Sequence, residues 1–147
     1  MSELKSFIKP IDIRWADLDP NYHLRHSVYY DYGAYCRIRF FEEYGLSNKA
    51  MEEMKFGPIL FREEAVFRKE IRMGDDLTID LEVIKSRKDY SRWSVRHKLV
   101  KNEEILAAVL TVDGAWINTE LRKLATPPSA LGEVFAMMPK SADFAWL

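Results

Sequence analysis

The sequence predicts an α+β fold in which an antiparallel sheet wraps around one long helix. Three observations carry this. A single long segment, residues 27–44, spaces its apolar side chains at helical intervals. The segments after it alternate apolar and polar residues at period two, and short turn sequences separate them. At 147 residues the chain is most simply one domain, 1–147, large enough for a sizeable core.

Taken in order, Ile11, Ile13 and Trp15 alternate with polar neighbours and predict a first strand with one buried face. Pro20 and Asn21 break it and open a loop. Between residues 27 and 44 the apolar positions are Val28, Tyr29, Tyr32, Cys36, Ile38, Phe40, Phe41 and Tyr44. They cover more than one stripe, which predicts a helix buried on most sides. Ser27 suits the N-cap and Gly45 the C′ position. Ile59, Phe61, Ala65 and Phe67 give a second strand over 58–68, and Gly74-Asp75-Asp76 a turn. Leu77, Ile79, Leu81 and Val83 form a third strand. Trp93, Val95, His97 and Leu99 form a fourth, closed by a Lys101-Asn102-Glu103 turn. Residues 105–118 are apolar on both parities, as in a central strand covered on two faces. A short helix is expected after Pro127-Pro128, and the tail carries Phe144, Trp146 and Leu147.

Composition removes several function classes. Hydrophobic residues at 48% and aromatics at 13% exclude a disordered chain. A net charge of −1 without a basic face gives no reason to expect nucleic acid. A single cysteine forms no internal disulfide, so a reducing compartment suffices. No apolar run approaches the ~20 residues that span a bilayer. The N-terminal MSELKSFIKP lacks the apolar core of a signal peptide. The expectation is a cytoplasmic protein with no membrane partner.

The chemistry concentrates in residues 14–37, where Asp17, Asp19, Asn21, His23 and His26 precede the long helix. Backbone N–H groups and the positive dipole end at a helix N-terminus favour negative charge. Here the N–H groups around Ser27, Val28 and Tyr29 are placed to stabilise the oxyanion of an attacked carbonyl. A carboxylate beside them can attack an acyl carbon or deprotonate a water that does. Thioesters suit such a site, because a thiol of pKa ~8.5 leaves with little acid help. His23 and His26 have no third ligand at a familiar spacing, so neither a metal nor an organic cofactor is expected. His97 shares the parity of Trp93 and Val95 and reads as a core histidine, and Cys36 as a small buried hydrophobe. The basic run Lys85, Arg87, Lys88 and Arg92 flanks a turn. Arg87 and Lys88 are candidate ligands for the phosphates of a large substrate.

At these residues the chain resembles the hotdog-fold thioesterases, specifically the 4-hydroxybenzoyl-CoA thioesterase-like group and the related plant-type acyl-ACP thioesterases. That pattern is Asp-x-Asp, a Gly-His-Val-Asn-Asn-like loop, then Tyr and an aromatic-rich helix with Arg and a closing Gly. Here it reads Asp17-Leu18-Asp19, Asn21, His23-Leu24-Arg25-His26, Tyr29, Arg37 and Gly45. Softer similarity runs through residues 73–77 and 87–91, so about residues 8–125 are covered. The resemblance implies a sheet of five or six strands around a central helix, assembled as a homodimer or a dimer of dimers (homotetramer). It also implies hydrolysis of acyl-CoA or acyl-ACP thioesters, with Asp19 as nucleophile or general base and with Asn21 and His23 taking part. Tyr22 stands where the pattern has Gly, and Arg25-His26 where it has Asn-Asn. His26 thereby joins the substrate-positioning candidates at the helix entrance.

Two other readings remain. One is an acyl-thioester-binding protein without turnover, motivated by the Arg25-His26 replacement. The other is an enoyl-thioester hydratase or dehydratase, whose Asp-x-Asn-Pro-x-His loop this chain matches poorly, since His23 lies one place too far along. In the expected dimer, Glu63 and Glu64 of one chain approach the Asp19 loop of the other.

Overall fold

The computed structural model describes residues 2–147. In chain order it contains β1 (Ile8–Ile11), a 3-10 turn (Trp15–Asp17), α1 (Val28–Glu43), α2 (Asn48–Met54), β2 (Phe56–Phe67), β3 (Leu77–Asp80) and β4 (Glu82–Ser86). Then follow β5 (Arg92–Lys101), β6 (Ile105–Asn118), β7 (Lys123–Leu124), α3 (Ser129–Phe135) and β8 (Lys140–Trp146).

The eight strands make one sheet of five ribbons. β2 pairs with β6, β6 with β5, β5 with both β3 and β4, and β1 with β3, all antiparallel. β7 prolongs the β5 ribbon beside Ile117 and Asn118, and β8 runs parallel to β4. This is the α+β arrangement the sequence predicts, an antiparallel sheet curled around α1.

The helix seats Val28, Tyr29, Tyr32, Gly33, Cys36, Phe40 and Phe41 in the concave face. That spacing is one broad stripe of a 3.6-residue repeat. Tyr35 and Ile38 lie on the other side and are about two-fifths exposed, so the helix is not buried on most sides as its composition suggests. Gly45 at φ +91° ends it, as expected of a C′ glycine.

Four further differences have local causes. The first strand sits earlier than its alternation predicts: Trp15 turns outward in the 3-10 segment and is 74% exposed. The expected strand 77–83 is broken at Leu81 into β3 and β4, although Leu77, Ile79, Leu81 and Val83 are all buried. In β2 the register slips between Leu60 and Arg62. That bulge resets the parity, so Pro58, Leu60, Glu63, Ala65 and Phe67 pair with the inward set of β6, while Ile59 and Phe61 do not. The tail becomes strand β8, with Phe144 and Trp146 packed edge to face. β6 matches its predicted bounds; its inward face is core, and Val109, Thr111 and Asp113 on the outer face are half-buried. No helix among the described residues is long and apolar enough to cross a membrane.

Candidate active site

The loop between β1 and α1 separates its two aspartates. The 3-10 turn drops Asp17 into the core, fully buried. Arg14 Nη2 donates to Asp17 Oδ1 at 2.7 Å, and the Arg14 backbone N–H donates to Oδ2 at 3.0 Å. The Tyr32 hydroxyl donates to the same Oδ2 at 2.8 Å. Burial alone would raise the Asp17 carboxyl, but these bonds outweigh it and hold the group below the ordinary carboxylate range. Burial, and then Asp17, push the Tyr32 hydroxyl upward.

Asp19 faces the other way. Its N–H donates to the His23 carbonyl at 2.7 Å, and its carbonyl accepts from the Tyr22 N–H at 2.9 Å. Tyr22 takes φ +64° to close this turn, the left-handed conformation that a glycine adopts without strain. Asp19 Oδ1 accepts the N–H groups of Asn21 at 2.8 Å and His23 at 3.1 Å, which fixes the carboxylate. Among the described residues no hydrogen bond of the chain reaches Oδ2.

That carboxylate opens on a cleft of about 350 Å³, lined also by His23, Leu24, His26, Tyr29, Phe67, Arg68, Lys69 and Glu70. Tyr29 packs its ring edge-on against Phe67 at 4.9 Å, and burial followed by the Asp19 charge raises its hydroxyl. His23 Nε2 lies 2.9 Å from Glu70 Oε2, so the ring is held against the far wall.

The helix entrance is stapled by Arg25. Its Nε donates to Ser27 Oγ at 3.0 Å and its Nη1 to the Ala16 carbonyl at 2.9 Å. Ser27 occupies the N-cap position, yet its hydroxyl caps nothing because Arg25 holds it. The Val28 N–H donates to the Arg25 carbonyl at 3.0 Å, which engages one of the expected oxyanion donors.

Asp19, His23, His26 and Tyr29 are therefore brought together, with Asn21 exposed at the rim. The far wall, Arg68-Lys69-Glu70, was not expected. The Arg68 and Lys69 N–H groups both donate to the Ala107 carbonyl, which fixes this segment beside the loop. A basic pair directly after a strand was its only sequence signal. Arg87 and Lys88 are not nearby in the same chain. They turn between β4 and β5, next to the Trp93↔Gly114 pair, whereas the cleft borders Phe67↔Ala108. Six residues of strand put the two about 20 Å apart. Glu63 lies on the inward parity of β2, and Glu64 on the outward parity, paired with Arg62. His97 is a fully buried core histidine, and burial pushes the Cys36 thiol up to about 12.

A family model for the thioesterase-like superfamily matches residues 13–135. Among solved structures, a Staphylococcus aureus protein in complex with CoA is similar at a TM-score of 0.82 and 22% identity, covering 97% of this chain and 89% of its own. A 1,4-dihydroxy-2-naphthoyl-CoA thioesterase from Synechocystis gives 0.77 and 17%, over 88% and 94%. A thioesterase from Thermus thermophilus, complexed with coenzyme A and zinc, gives 0.72 and 25%, over 91% and 93%. No curated protein sequence matches. The curled sheet and helix are the hotdog fold of these structures.

Proposed function

The chain belongs to the thioesterase-like superfamily, and on that premise we propose that it hydrolyses acyl-CoA or acyl-ACP thioesters in the Asp19 cleft. The carrying observation is the division of labour between the aspartates: Asp17 is sealed, and Asp19 presents a free oxygen to a cleft at the N-terminus of α1. Asp19 acts in one of two ways. Its Oδ2 adds to the thioester carbonyl, the C–S bond breaks, and water then cleaves the acyl-aspartate anhydride. Alternatively it takes a proton from a water that adds directly. In both, the thiolate departs and is protonated by solvent.

First-turn N–H groups around Ser27–Tyr29, other than that of Val28, and the helix dipole stabilise the oxyanion, with His26 at the same corner. His23, braced by Glu70, and Asn21 position water or substrate. Arg68 and Lys69 on the cleft wall suit the phosphates of CoA. Arg87 and Lys88 join them only from a second copy of the chain. The whole of 1–147 acts as one domain, in a cytoplasmic setting that the buried free thiol of Cys36 tolerates.

The test is thiol release from a panel of short, long, branched and aromatic acyl-CoAs and acyl-ACPs, comparing the native protein with Asp19→Asn and Asp19→Ala. The expected loss of kcat/KM is at least about tenfold on the best substrate. Tight binding with no turnover of any member makes the protein an acyl-thioester binder instead. Loss of crotonyl-CoA absorbance without thiol release makes it a hydratase.

A further inference from the structure

A second cavity, also about 350 Å³, opens beside β2. Ile38 and Phe41 of α1, Leu60 of β2, and Trp93, Trp116 and Phe135 wall it with hydrocarbon and aromatic rings. One cation interrupts that lining, Arg37. Its Nη1 lies 3.0 Å from His97 Nε2, and His97 Nδ1 lies 2.7 Å from the Asp80 carbonyl. A carbonyl only accepts, so Nδ1 carries the proton and Nε2 accepts from Arg37. Burial, then Arg37, push His97 down to about 3, and it stays neutral. It takes one N–H of the guanidinium and cancels none of the charge.

Arg37 is the most deeply placed cation of this groove, and burial disfavours its charge. Among the described residues no carboxylate comes within ion-pair distance of it. Glu63, on the inward parity of β2, acts on it only from farther away. An apolar pocket whose one charged group is a guanidinium without a carboxylate partner, with the Asn48 amide as the other polar side chain of its lining, suits an acceptor delivered on an apolar stem.

Helix α1 and strand β2 both contribute to the cavity and to the Asp19 cleft. Tyr29 lines the cleft, and Gly33 and Arg37 follow it at i+4 and i+8 on one face of α1, about 12 Å along the axis. Across from them β2 sets Phe67 at the cleft and Leu60 at the cavity, with Ala65 and Glu63 between them on the same inward parity.

We propose that this cavity receives the far end of the acyl group, and that Arg37 selects medium-length acyl thioesters ending in a carboxylate. The proposal rests on the thioester reading of the Asp19 cleft. A plain alkyl chain would cover the guanidinium with hydrocarbon and leave it unpaired. A terminal carboxylate meets its fork with two parallel hydrogen bonds, while the aliphatic stem packs on Trp93, Trp116 and Phe135.

The experiment compares suberoyl-CoA with octanoyl-CoA, by kcat/KM and by calorimetry of the corresponding non-hydrolysable thioethers. The native protein is expected to favour the carboxylated member at least about tenfold in both readouts. Arg37→Met should abolish that ratio and Arg37→Lys retain part of it. Ile38→Trp, at a half-exposed position of the cavity wall, should fill the cavity and abolish the preference in both readouts. This variant decides the matter if Arg37→Met does not fold. Equal affinities in the native protein, or a ratio indifferent to Arg37→Met or to Ile38→Trp, overturn the proposal. Selective thioether binding with no turnover of any thioester keeps the pocket and removes the hydrolase reading instead.

Discussion

The Tyr32 hydroxyl donates to Asp17 Oδ2 at 2.8 Å, and this bond settles which of two carboxylates, two residues apart, is part of the core. Tyr32 stands on the buried stripe of α1, so wherever the helix packs, Asp17 follows it inward. Asp19 is left half-exposed at the mouth of the cleft. The two positions should therefore respond oppositely to the same substitution. Asp17→Asn weakens charge-assisted bonds in a sealed site and should cost about 2–3 kcal/mol of stability. Asp19→Asn keeps an oxygen for the Asn21 and His23 N–H groups and should cost under about 1 kcal/mol. In activity the order reverses: Asp19→Asn should lower kcat about a hundredfold or more, while folded Asp17→Asn stays near native. Thermal melts beside an acyl-CoA assay read both, and an inactive Asp17→Asn with an unchanged melt would sink this assignment.

Acid should unfold the protein in two stages. His97 is neutral and buried, with its folded value near 3. The unfolded chain binds that proton from about 6.5 downward, so stability falls as pH drops from about 6.5 toward 3. Asp17 is held below its ordinary range, so its contribution is complete above about pH 4 and is lost as pH falls further. Asp80, raised by burial, works in the opposite direction and blunts the trend. Melting temperatures from pH 7.5 to 3 should show a shallower first stage in His97→Gln and a shallower second stage in Asp17→Asn. Slopes identical to the native protein would contradict the buried neutral histidine.

Gly114 should tolerate no side chain. A Cβ built there would collide with Trp93 Cη2 and lie 2.7 Å from Trp93 Cζ2 and 2.8 Å from the Ile59 carbonyl, a rigid ring and a strand backbone. Neither can move away without disturbing β2 or the tryptophan cluster with Trp116 and Phe135. Gly114→Ala is expected to destabilise by about 1–3 kcal/mol, or more, with a changed tryptophan emission. A melt within experimental error of the native protein would show that Trp93 and β2 yield at Gly114 without cost.

Local pattern reaches as far as local forces decide. The stripe from Val28 to Phe41, the β6 bounds, the Gly45 stop and the buried parity of His97 were legible because periodicity and turn chemistry fix them. The gathering of ionisable groups in the Asp17–Asp19 loop at the helix entrance was legible. Its inner division was not, since it depends on Tyr32, fifteen residues on. β8 was missed for the same reason: it lies parallel to β4, and no hairpin announces that pairing. The bulge beyond Leu60 hid the parity of β2, and with it the inward turn of Glu63. Arg68 and Lys69 reach the cleft through the Ala107 carbonyl on another strand, a contact that no spacing encodes.

The open edge of β2 should be the dimer interface. β2 pairs only with β6, so twelve residues of strand present an unpaired edge among the described residues, with Phe61 and Val66 about half-exposed. Such an edge invites another strand. A two-fold axis across its middle pairs it antiparallel with its own copy. The Pro58 end of a second copy then lies beside Phe67, and the turn bearing Arg87 and Lys88 of that copy approaches the Asp19 cleft. Light scattering at micromolar concentration should give twice the mass of one chain. Phe61→Glu adds charge where Glu63 and Glu64 of both copies already meet, and should weaken the dimer about tenfold. Activity should fall with the dimer fraction and return at higher protein concentration. Arg87→Ala with Lys88→Ala should raise KM for acyl-CoA several-fold and leave KM for the matching acyl-pantetheine unchanged. That difference tests the shared site directly. A monomer with full activity would remove the shared site, and with it the only route by which Arg87 and Lys88 could touch the substrate.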